Sequence, residues 1–174
     1  MATVWTISVG NGLLLACYFI PTWTFAIWSI IESPIRGLFE RPNIATAIFF
    51  SDSLHLTAVG VARLAWLMAL GKVLVVAFFV AFAVLALRAI LTRRDETREP
   101  LVIALGLGSL VSGIALFCAA MTGETQALQL HATESLMLIG ATVVMLIEDE
   151  SRTASRARPS APSLSEASAL PNAA

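Results

Sequence analysis

Lys72, His131 and Glu134 all fall inside long apolar stretches of this sequence. A charged group at membrane depth costs a few kcal/mol or more, so such groups are normally paired or functional. His131 and Glu134 stand three residues apart, the spacing that puts two side chains on one helical face. An ammonium, an imidazole and a carboxylate brought together could pair as ions or relay protons, the chemistry of a small transporter or proton-coupled protein.

A second constellation is fainter. Leu54-His55-Leu56-Thr57 and Leu130-His131-Ala132-Thr133 share an LHxT pattern. Asp52 lies three residues before His55, as Glu134 lies three after His131. Two histidines and two carboxylates could hold a divalent metal, and two imidazoles could clasp a haem. A four-residue echo within one chain carries little weight, so His55, His131, Asp52 and Glu134 are weak metal candidates and no cofactor is favoured.

Cys17 and Cys118 sit in apolar runs without a CxxC pair and read as small buried hydrophobes. Leu14-Leu15-Ala16-Cys17 has the form of a lipoprotein cleavage box. However, no Lys or Arg precedes it, and the apolar run continues through Ile31. A Gly-rich phosphate loop, GxSxG and HExxH are all missing from the sequence, so no reaction is advertised and the reading leans away from an enzyme.

The elements that must position these groups are written in the composition. The 174 residues are 57% hydrophobic and 13% charged, against about 25% charged in soluble domains. Four runs reach the roughly 20 residues that a spanning helix requires: 5–31, 64–91, 101–121 and 127–147. The expectation is an all-α, four-helix transmembrane bundle over 1–150 with a disordered tail over 151–174. Pro21 should kink the first span. Trp5 at one end, with Trp23 and Trp28 at the other, suit interfacial belts. Gly108/Ser112 and Ser109/Gly113 on the third span allow close helix approach in lipid.

Between the first two spans, Ser33-Pro34 and Arg41-Pro42-Asn43 signal turns. The apolar run 43–50 is too short to span, so it is expected to lie at the interface and cap the bundle. Ser51-Asp52-Ser53 reads as a helix N-cap. A helix from 53 to 91 would be about 58 Å long, so its first residues should project from the membrane or break near Gly60.

Basic residues orient the bundle. Arg88, Arg93, Arg94, Arg98, Arg152, Arg156 and Arg158 fall on the side of the two termini; Arg36, Arg41 and Arg63 fall on the other. The positive-inside rule then puts both termini in the cytoplasm. High Ala content, short loops and a Ser/Pro/Arg tail suit a bacterial inner membrane. Lipid is the expected partner, with a protein partner or a second copy possible. The basic clusters lack interleaved aromatics, so nucleic acid is not expected.

At 1.5 Å per residue, Lys72, His131 and Glu134 ride about 27, 25 and 21 Å above the cytoplasmic ends of their helices. They therefore share one level, near the outer edge of the hydrocarbon. A Lys72–Glu134 ion pair with His131 beside it is the sharpest expectation, against the alternative that Lys72 snorkels to the headgroups. The leading functional reading is a non-enzymatic membrane component or accessory subunit.

Overall fold

A computed structural model of the chain describes residues 7–92 and 99–157. Among these residues there are six helices and no strand: α1 (Ile7–Glu32), α2 (Pro34–Leu38), α3 (Ile44–Leu54), α4 (Ala58–Thr92), α5 (Glu99–Thr122) and α6 (Thr125–Ala157). Four of them, α1, α4, α5 and α6, are long and apolar enough to cross a bilayer. The protein is therefore an all-helical, multi-pass membrane protein.

Apolar surface divides according to size. Leu14, Phe25, Leu67, Leu110, Phe117 and Leu136 point outward and are exposed. This is an apolar exterior that water would penalise and lipid would not. Inward-facing positions on the spans include many small residues: Ala65, Ala69, Ala86, Ala104, Ala115, Ala119 and Ala141. Without a hydrophobic drive between helices in lipid, small residues allow the backbones to approach and pack by dispersion. Gly108 and Ser112 face inward as a pair, and a Cβ on Gly108 would lie 3.3 Å from Leu138. Phe19 stacks on Phe79 with ring centroids 5.4 Å apart, at the centre of a core completed by Val75, Phe82, Leu105 and Leu138.

The spans form a closed ring in which α1 packs on α4, α4 on α5, α5 on α6, and α6 back on α1. Gly123, at φ +73°, ends α5 and donates its N–H to Ala119 O, which lets α6 turn back immediately. At the far end, the backbone N–H and the hydroxyl of Ser8 both donate to Glu148 Oε2. A carboxylate of the last helix thus caps the first turn of the first helix, where free N–H groups and the helix dipole favour negative charge.

Helix α1 runs unbroken through Pro21, which sits on its exposed face. Several expectations need correction. Trp23 is no interfacial anchor but a buried side chain, whereas Trp28 is exposed. Ser51-Asp52-Ser53 lies in the last turns of α3 rather than starting a helix. The chain breaks at His55, whose left-handed backbone (φ 47°, ψ 48°) terminates α3, and not near Gly60. Thr57 then caps α4, accepting the Gly60 N–H at 3.4 Å. Helix α6 continues through Ala157, so the first seven residues read as tail are helical. Trp5, the 93–98 loop and the rest of the expected disordered tail lie outside the described residues.

The excursion between α1 and α4 doubles back over one end of the ring. Helix α2 packs on α1 and α4, with Leu38 buried beside Ile30, Val61 and Ala65. Helix α3 packs chiefly on α5, where Phe49 meets Phe117 edge-on, and Ala45 clusters with Ala119 of α5 and Ala127 of α6. This cap supplies the missing wall of the site.

Candidate functional site

Beneath the cap, Lys72 from α4 and His131 and Glu134 from α6 line one cavity of about 200 Å³. Their exposures are 4%, 4% and 2%, which rules out snorkelling for Lys72. The remaining walls come from every other element except α2: Trp23 of α1, Pro42 before α3, Thr46 and Phe50 of α3, and Val111, Ser112 and Ala115 of α5. Apart from its polar floor the cavity is apolar. Its rim includes Leu67 and Ile114, both exposed on the outer surface of the bundle, so the opening faces lipid.

Glu134 is the hub. Its Oε1 accepts the Trp23 indole N–H at 3.1 Å, and its Oε2 lies 2.9 Å from His131 Nδ1 and 3.4 Å from the Ser112 hydroxyl. His131 Nε2 lies 2.9 Å from Pro42 O, a carbonyl that can only accept. That nitrogen must therefore carry a proton. A second proton must occupy the Nδ1–Oε2 contact, held either by the imidazole or by the carboxyl group. In both cases the His131–Glu134 couple is neutral overall.

The expected Lys72–Glu134 ion pair is not formed. The Lys72 ammonium instead donates to Asn43 Oδ1 at 2.5 Å and lies 5.9 Å from the centre of the Trp23 ring. Asn43 in turn donates to Gly37 O at 3.0 Å. The cap explains the difference, because it folds inward and inserts an amide where the two spans alone would have met. Sequence reasoning read Asn43 only as a turn residue and missed its role. It also missed Trp23 and Ser112. A polar side chain beside Pro42 that must be buried under a cap was the only available signal.

His55 and Asp52 do not join this group. Both are exposed, at the end of α3, while His131 is buried with both ring nitrogens engaged. A nitrogen bound to hydrogen offers no lone pair to a metal or haem, so the paired-histidine reading loses its geometry. Among the described residues, no three His, Cys, Asp or Glu side chains are placed to hold a metal ion. Cys118 is buried as expected, whereas Cys17 is exposed on α1.

From Glu134 towards the Ser8–Glu148 contact, the described core is aromatic and aliphatic. The polar site thus sits at one end of the bundle, with no chain of buried titratable groups leading away from it among the described residues. Comparisons of the chain with protein-family models, with curated proteins and with solved structures gave no match.

Proposed function

We propose that this chain is a non-enzymatic membrane component or accessory subunit, in which Lys72, His131 and Glu134 serve to fasten the outer cap to the bundle. The observation that carries this reading is where the hydrogen bonds end. His131 bonds the Pro42 carbonyl, and Lys72 bonds the Asn43 side chain, two adjacent residues of the excursion. Hydrogen bonds between buried polar groups are strong in the low dielectric of the interior and hold together the elements that carry them. The apolar core below the site supports this role over a proton path across the membrane.

The test is Asn43→Ala. It leaves the Lys72 ammonium and Gly37 O without their partner, and the expected loss is about 1–3 kcal/mol. Hydrogen exchange should quicken through 34–56 while the centres of α5 and α6 stay protected. Unchanged protection of the cap would remove the fastening role.

The same reading places both termini in the cytoplasm, on the strength of seven arginines against three. Cysteines engineered at positions 95 and 165 should both resist an impermeant thiol reagent added to intact cells, in a background without Cys17 and Cys118. One at position 53 should react. Labelling of 95 and 165 from outside reverses the orientation.

A further inference from the structure

We propose that the cavity under the cap binds a single-chain amphiphile with a carboxylate head, drawn laterally from the lipid, with its head on Lys72 and its tail along the α4–α5 wall.

Charge is the first argument. The His131–Glu134 couple is neutral wherever its shared proton sits, because Pro42 O fixes one proton on Nε2. The ammonium of Lys72 is thus the one buried charge, among the described side chains, with no opposite charge in direct contact. Its hydrogen-bond partner, Asn43, is a neutral amide, and its other close neighbour is the face of Trp23. An ammonium carries three donors, and Asn43 takes one of them. A buried charge without a counter-charge is costly, and a carboxylate would supply both the charge and the missing acceptors. The buried Thr46 hydroxyl also lines the cavity, beside the Cys118 thiol.

Shape is the second argument. An apolar cavity of about 150 Å³ suffices for a benzene ring, and this one, at about 200 Å³, is larger. Leu64, Leu67, Met68, Val111, Ile114 and Ala115 provide aliphatic walls. The exposed Leu67 and Ile114 put the opening against lipid, so the part of a long tail that does not fit inside can remain in the bilayer. A cavity of about 200 Å³ has room for part of one acyl chain.

This inference stands apart from the fastening role, because Lys72 can hold Asn43 with one donor and a carboxylate with the others. The test is native mass spectrometry of the full chain in a neutral maltoside detergent, with palmitate, 1-hexadecanol and a two-chain anionic phospholipid as probes. A 1:1 palmitate adduct retained at least tenfold better than hexadecanol is expected. Lys72→Gln should remove that preference and Lys72→Arg should keep it. Ala115→Phe, which fills the apolar wall without touching the charge, should abolish retention of palmitate. If Lys72→Gln does not fold, the acid–alcohol comparison on the unmodified chain and on Ala115→Phe still decides. Equal retention of acid and alcohol, indifference to Ala115→Phe, or displacement of palmitate by the phospholipid overturns the proposal. Loss of cap protection in Asn43→Ala without loss of palmitate binding would separate the two readings.

Discussion

Replacement of Glu134 by alanine is expected to destabilise the protein by about 3–5 kcal/mol, the cost of breaking a buried pair by removing one partner. Three groups from three helices lose their partner together: the Trp23 indole, the Ser112 hydroxyl and His131 Nδ1. Nδ1 is then left buried without a hydrogen bond, whichever group held the shared proton. Glu134→Gln should be far milder, at about 1 kcal/mol. Its amide oxygen can accept from Trp23, and its amide nitrogen can donate to Nδ1 while Nε2–H still bonds Pro42 O. Thermal unfolding in detergent of both variants makes the comparison. Similar losses for Gln and Ala would mean that the charge, rather than the hydrogen-bond pattern, is what the fold requires. A solute flux abolished by Glu134→Gln in a protein of unchanged stability would favour the transport reading over the fastening one.

The second large effect is at Gly37, where α2 crosses α1 at backbone contact. A Cβ at this position would lie 2.6 Å from Ile30 N and from the carbonyl carbon and oxygen of Ser29. Backbone cannot change rotamer to make room, so the strain must be relieved by moving α2. Gly37→Ala should therefore reach the upper end of overpacking costs, about 3 kcal/mol. Gly37 O also receives the Asn43 amide, so displacement of α2 propagates to Lys72. Limited proteolysis at Arg36 and Arg41 should accelerate markedly in this variant. Gly106→Ala, where an added Cβ meets nothing, should be silent by both assays. Equal behaviour of the two variants would show that the α1–α2 crossing is not the tight contact described.

The spans were legible in the sequence because lipid imposes a length, and a length can be counted. A fixed rise per residue set Lys72, His131 and Glu134 at one level, and all three line one cavity. What could not be counted was the path of the excursion. Asn43 lies 29 residues from Lys72, and Pro42 lies 89 from His131, so no local periodicity links them. Ser51-Asp52-Ser53 misled because small polar residues serve at either end of a helix. The deciding feature was the left-handed turn at His55, which no glycine marked. The seven-residue extension of α6 past Glu150 was hidden by its polarity, since it needs no lipid to be a helix.

The contact between Ser8 and Glu148 has a consequence for how the protein is made. It joins the first described helix to the last, and the acceptor for Trp23 also arrives only with α6. During synthesis α1 therefore enters the bilayer well before its polar groups can be met. A chain halted before residue 134 would display the Trp23 indole and the Ser112 hydroxyl within the membrane without the carboxylate that each bonds in the finished fold. Truncated products should then be conspicuous to the proteases that survey nascent membrane proteins, and only completion of the final helix would hide them.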